Sequence, residues 1–344
     1  MRPANRPRLA AALVLLLALT PAAGFAGTAS EVVFSDYSPL AGNAELAGRL
    51  LSPLAAAQLQ QQLAQQGKTL TGQPIDLSQE KFLVFVPSVQ PAGGYGLLVF
   101  VPPWRRAKLP DGWADVLDAL GMIFVSADES GNDTNPFGRR DPLAVLAEQN
   151  VVKHYAVNSD RVFVGGFSGG SRIALRLAMA YPDLFDGALL DAGSDTIGEP
   201  AAPLPTATLF ARFQEHSRLV YLSGDSDVYI RQTDLASMQS LEDWCVFGAE
   251  RFSISGTGHD AAPASALERA LDLLLRAEAP DAEKLSACRS EVTARLESAL
   301  ANVQALINAG RRDDARNALH EIDSRYGGLA APRSVALAKA LGGN

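Results

Sequence analysis

The stretch Val162-Phe163-Val164-Gly165-Gly166-Phe167-Ser168-Gly169-Gly170 decides how this chain folds. Three apolar residues suited to a buried strand run into a G-x-S-x-G pentapeptide. An amphipathic stretch then extends to Tyr181, where Pro182 stops it. Strand, sharp turn and helix in that order place a serine on a turn with a sparsely populated backbone conformation. The flanking glycines remove the clashes that such a turn would cause, and the strain points the hydroxyl away from the sheet. Glycine and serine are common, so the pentapeptide alone is a weak signal. Its neighbours decide.

From Lys81 onward, short β-rich runs alternate with helical ones. Phe82 to Val86 and Gly96 to Val101 read as strands, the second ending at Pro102-Pro103. A helix from Trp113 to Leu120 leads to a strand from Met122 to Val125. A polar loop rich in Gly, Asn and Asp runs from Asp128 to Arg140, and its Asn132 and Arg139 are candidates for the mouth of a site. Asp141 is expected to cap a helix with Pro142 at its first position, running to about Tyr155. Beyond the serine turn, Ala188 to Leu190, Leu219 to Leu222 and Phe252 to Ile254 read as strands, and Leu267 to Leu274 belongs to a closing helix. Strands separated by helices of this length predict an α/β fold, a mainly parallel central sheet with helices on both faces.

A serine hydroxyl is a poor nucleophile near neutral pH and needs a base beside it, with a third group to orient that base. Four histidines are available. His154 falls in the helix after Asp141, His216 precedes a strand at the end of the sheet away from the site, and His320 lies near the C-terminus. His259, in Ser255-Gly256-Thr257-Gly258-His259-Asp260, follows the last strand. Sites in open α/β sheets gather at the carboxyl ends of strands, so His259 is the candidate base. The orienting acid is expected after a strand between Ser168 and His259, and Ser223-Gly224-Asp225-Ser226-Asp227 offers two aspartates. Asp227, further along the exposed loop, is preferred, with Asp225 as the alternative; Asp191 and Asp195 are more distant choices. For the oxyanion of an acyl-transfer intermediate, one N–H is expected from Gly169. The other is expected from the loop Pro102-Pro103-Trp104-Arg105. Neither proline has an N–H, so Trp104 is the candidate, with Arg105 next; Trp104 is equally readable as a substrate-binding or packing aromatic.

The stretch from Asn158 to Gly170, with Tyr181-Pro182-Asp183-Leu184-Phe185 after the elbow helix, resembles the polyhydroxybutyrate depolymerase and feruloyl-esterase-like branch of the α/β-hydrolases. Gly224-Asp225-Ser226-Asp227 is similar to that branch's acid turn, and Gly258-His259 to its histidine turn. The order serine, aspartate, histidine is also that of the α/β-hydrolases. The resemblance covers about residues 80–278. It implies an α/β-hydrolase fold and a Ser168–His259–Asp227 esterase acting on a small-molecule or oligomeric ester without metal or organic cofactor. It departs at Pro102-Pro103, where that branch usually has His-Gly. The alternative is a binding or scaffold protein that kept the fold and lost the activity.

The ends of the chain read differently. Arg2, Arg6 and Arg8 precede an apolar run from Leu9 to Leu19, then Pro21 and the small residues around Gly24-Phe25-Ala26, which is the pattern of a cleaved signal peptide over residues 1–26. The run is short for a membrane span. The chain is therefore expected in the periplasm or secreted, without stable membrane insertion. Its net charge of −8 becomes more negative when the three arginines leave, which argues against nucleic acid as a partner. Cys245 and Cys288 are the only cysteines, and an oxidising compartment would let them pair. Residues 27–79, alanine- and glutamine-rich, read as an N-terminal helical extension to a catalytic domain at 80–279. Residues 280–344 read as a helical hairpin, either a packing appendage or a docking surface for a protein partner.

Overall fold

In the computed structural model, residues 27–276 and 278–342 are described; the expected signal peptide lies outside them. Eight strands form one sheet: β1 (Thr28–Val32), β2 (Phe82–Val86), β3 (Tyr95–Val101), β4 (Met122–Ala127), β5 (Val157–Phe167), β6 (Gly187–Asp191), β7 (Arg218–Gly224) and β8 (Ala249–Ile254). Their spatial order is β1-β2-β4-β3-β5-β6-β7-β8. β2 runs antiparallel to β1 and β4, and every other pairing is parallel.

β3 shows how the sheet is held. Leu97, Val99 and Val101 enter one core cluster, while Leu98 and Phe100 enter the other, because successive side chains leave a strand on opposite faces. A strand apolar on both faces is buried on both. On one face lie α3 (Trp113–Leu120) and α8 (Ala264–Leu275), whose Trp113, Leu117, Leu267 and Leu271 are fully buried. The other face carries α4 (Asp141–His154), α5 (Gly169–Ala180) and α6 (Ala207–His216).

The segment ahead of β2 contains more than helix. β1 is an edge strand, largely exposed and paired to β2 through its backbone, so its TASEV sequence has no apolar alternation to announce it. α1 (Asn43–Leu50) and α2 (Pro53–Gln65) follow. The amide of Asn150, buried in α4, brackets Asp36 in this segment: Asp36 N–H donates to Asn150 Oδ1 at 3.1 Å, and Asn150 Nδ2 donates to Asp36 O at 2.8 Å. At the other end, α9 (Ala282–Asn308), α10 (Arg312–Tyr326) and α11 (Arg333–Ala340) pack against α2 and α6. The Asp323 carboxylate in α10 accepts Leu54 N–H and the Ser52 hydroxyl, and Arg289 in α9 reaches Gln214, Glu215 and Ala211 O in and around α6. Cys245 and Cys288 are disulfide-bonded, which joins α9 to the end of α7 (Val228–Asp243).

Asp141 does not cap its helix. A single π-type turn, Pro136–Arg140, precedes it, so Asp141 is the first helical residue, fully buried and paired with Arg176 of α5. The turn continues the chain into α4 without the break that a side-chain cap needs. No helix among the described residues is long and apolar enough to cross a membrane.

Candidate active site

Ser168 occupies the bend between β5 and α5 with φ +56° and ψ −120°, a conformation that costs a non-glycine residue about 1–3 kcal/mol. Space explains the glycines around it. A Cβ at Gly170 would lie 1.9 Å from Val101 O of β3, and one at Gly166 would lie 2.3 Å from Gly170 C. The start of α5 is therefore pressed against β5 at Gly166 and against β3 at Val101, and the serine between the two glycines is forced outward.

His259 follows β8 in a loop fixed at three places. Gly256 N–H donates to both Asp225 oxygens at 3.1 Å, Ser226 N–H to Thr257 O at 3.1 Å, and Ala262 N–H to Asp191 Oδ2 at 2.8 Å. Trp113 Nε1 of α3 also donates to Ala262 O at 2.8 Å. The imidazole then lies between the serine and an acid. Its Nδ1–H donates to Asp227 Oδ2 at 2.6 Å, and Ser168 Oγ–H donates to its Nε2 at 2.8 Å, in the neutral tautomer that this arrangement calls for. The other oxygen of Asp227, Oδ1, accepts Ile230 N–H at 3.3 Å and caps α7. One carboxylate thus holds the imidazole and starts a helix.

The two aspartates of the acid turn are separated by what they touch. Asp227 reaches the imidazole, whereas Asp225 is spent on Gly256 and the Ser226 hydroxyl. Asp191 and Asp195 do not reach it either: Asp191 holds Ala262, and Asp195 pairs with Arg172 at 3.0 Å. Of the remaining histidines, His154 contacts Asp36, and His216 ends α6 at the amino end of β7. The Trp104 ring lies tilted at 6.0 Å from Phe167, whose ring is 5.1 Å from His259. Among the described residues, the backbone N–H groups of Gly169 and Trp104 have no acceptor.

Burial shifts the carboxyls beneath the site. Asp191 is pushed up to about 8, first by burial and then by Asp234 nearby, against the pull of Ala262 N–H. Asp234, which accepts the Ser194 hydroxyl at 2.6 Å, is pushed up to about 6, again chiefly by burial. At the surface the picture is the opposite. The His259 side chain is 43% exposed, and Val228 and Tyr229, next to Asp227 along the chain, are exposed. Ser168 itself is half-buried beside that imidazole.

The strand order, with a serine elbow after β5, Asp227 after β7 and His259 after β8, defines an α/β-hydrolase fold. No protein-family model matches the chain, and no curated protein sequence does. Similar solved structures include an acetyl xylan esterase from Aspergillus awamori, 13% identical over 57% of this chain and 94% of that one, with a TM-score of 0.44. A CE1 ferulic acid esterase from Anaeromyces mucronatus is 14% identical over 74% of this chain and 92% of that one, with a TM-score of 0.44. A third, described as a dipeptidyl aminopeptidase IV from Bacteroides ovatus, is 17% identical over 57% of this chain, which spans 34% of its length, with a TM-score of 0.40. The fold assignment rests on the strand order.

Proposed function

We propose that this protein is an exported serine esterase with Ser168 as nucleophile, His259 as base and Asp227 as the group that orients it, of the polyhydroxybutyrate depolymerase and feruloyl-esterase-like kind. The hydrogen-bonded line from Ser168 Oγ through His259 to Asp227 carries the reading. As Ser168 Oγ bonds to the ester carbonyl carbon, its proton passes to His259 Nε2 and the carbonyl π pair moves onto oxygen. Gly169 and Trp104 N–H groups receive that oxyanion. Collapse re-forms the carbonyl and breaks the bond to the alkoxy oxygen, which takes the proton from His259 and departs as the alcohol. Water then enters, loses a proton to His259, and attacks the acyl carbon. Ser168 leaves with that proton and the carboxylic acid is released. Asp227 stays ionised throughout and stabilises the imidazolium.

The exposed imidazole beside Ser168 favours a soluble or oligomeric ester, and the basic, then apolar N-terminal segment together with the Cys245–Cys288 disulfide favours the periplasm or the exterior. A second reading, a scaffold that kept the fold without the activity, is favoured by Pro102-Pro103, which deprives the loop after β3 of two N–H groups. Hydrolysis of p-nitrophenyl acetate and butyrate by the protein lacking residues 1–26, beside Ser168→Ala, separates the two. Turnover that vanishes in the variant supports the esterase. Equal inertness of both proteins supports the scaffold.

A further inference from the structure

Two prolines leave the oxyanion side of the β3 loop short of donors, but a second loop is fastened over it. The carbonyls of both prolines are taken by that loop: Arg140 Nη2 donates to Pro102 O at 2.9 Å and Asn132 N–H to Pro103 O at 3.0 Å. Glu129 N–H donates to Arg105 O at 2.6 Å, and Arg140 Nε holds Ser130 O at 2.9 Å. Gly131 is pressed onto Trp104, since a Cβ there would stand 2.9 Å from Trp104 C. The two loops behave as one layer, and Asn132 sits at its edge.

The carboxamide of Asn132 lies against Gly169. A Cβ at Gly169 would fall 2.2 Å from Asn132 Oδ1, 2.8 Å from Cγ and 3.0 Å from Nδ2. Gly169 is outside the left-handed region of φ, so conformation does not require glycine there. Space does, and the amide of Asn132 fills it. Among the described residues that amide has no hydrogen-bond partner, although its own backbone is fixed. An exposed, unspent amide packed against Gly169, whose N–H has no acceptor among the described residues, is placed to meet a ligand at Ser168. We propose that Asn132 is a catalytic residue whose Nδ2–H donates to the oxyanion formed on Ser168, alongside the Gly169 and Trp104 N–H groups. A side-chain donor replaces what the two prolines cannot give. The assignment rests on the esterase reading above.

The test compares wild type, Asn132→Ala, Gly169→Ala and the double variant on p-nitrophenyl butyrate, with Ser168→Ala as the blank and fluorophosphonate labelling of Ser168 throughout. Removing one oxyanion donor lowers kcat by on the order of 10²–10³-fold, with KM little changed. Asn132→Ala should show that loss while remaining labelled, which reports a folded protein with its nucleophile intact. Gly169→Ala keeps its N–H, yet its methyl group evicts the amide, so it should lose kcat similarly. The double variant should fall no further than the worse single one, within about threefold, because both changes remove the same interaction. Asn132→Ala within about threefold of wild-type kcat, or losses that multiply in the double variant, would overturn the proposal and leave the hole to backbone donors. A wild type that neither hydrolyses nor is labelled removes the esterase reading itself, and this assignment falls with it.

Discussion

The carboxyl of Asp191, at the end of β6, accepts the backbone N–H of Ala262 at 2.8 Å, three residues beyond His259. A fully buried acid beneath the site therefore sets the height of the histidine loop. It also connects that loop to the turn in which Ser168 N–H donates to Asp191 O at 2.8 Å.

Burial raises Asp191 to about 8 and Glu148 to about 7, so each holds its proton in the folded chain at pH values where the unfolded chain has lost it. The folded state then binds more protons, and stability falls as pH rises between the unfolded value near 4 and the folded one. For one such group the slope is about 1.4 kcal/mol per pH unit. Asp191→Asn, which mimics the protonated acid and still accepts Ala262 N–H, should flatten the stability profile between pH 5 and 8. Urea titrations of both proteins across that range check this, and parallel profiles would refute it.

Asp227→Asn should leave the fold intact, because the amide oxygen still caps α7 at Ile230. It should nonetheless lower kcat by roughly 10⁴-fold, since it stabilises the wrong imidazole tautomer and withdraws the charge that supports the imidazolium. Asp225→Asn should lower it far less. Steady-state rates on a p-nitrophenyl ester distinguish the two, and equal losses would contradict the assignment of roles.

Gly170→Ala places a methyl group 1.9 Å from Val101 O, a backbone atom of a central strand that cannot step aside. Overpacking at such a contact costs about 3 kcal/mol or more. We expect a large drop in the urea midpoint together with loss of activity, as the elbow moves off β3.

The Cys245–Cys288 bridge closes a loop of sequence separation 43 between the core and α9. Its loss should cost about 2–4 kcal/mol by releasing the unfolded chain. A Cys245→Ser, Cys288→Ser protein, compared with wild type under non-reducing conditions, measures this. Unchanged stability would show that the apolar face of α9 and the Arg289 contacts hold it unaided.

Where periodicity is strong the sequence was legible: β2 and α3 span the residues expected of them. Elements with weak patterns were not. α7 buries Ile230, Asp234, Ser237 and Leu241, a stripe at helical spacing but half polar, so hydropathy does not reveal it. α6 likewise buries Gln214 beside Phe210 and Phe213. β1 offers only backbone to its neighbour.

By itself the sequence pointed to the serine elbow, because an apolar run, a G-x-S-x-G turn and an amphipathic stretch follow one another, and to His259, because it is the histidine that follows the last strand. Tertiary structure alone shows what each of Asp225 and Asp227, two residues of the same type on one turn, touches: Gly256 for the first and His259 for the second, the one the sequence reading preferred. It also decided the place of Asn132, thirty-seven positions before Gly169 and resting on it. Motifs record the local conformation a residue type must permit. Which side chains meet depends on how strands far apart in the chain are set side by side, and no short pattern carries that.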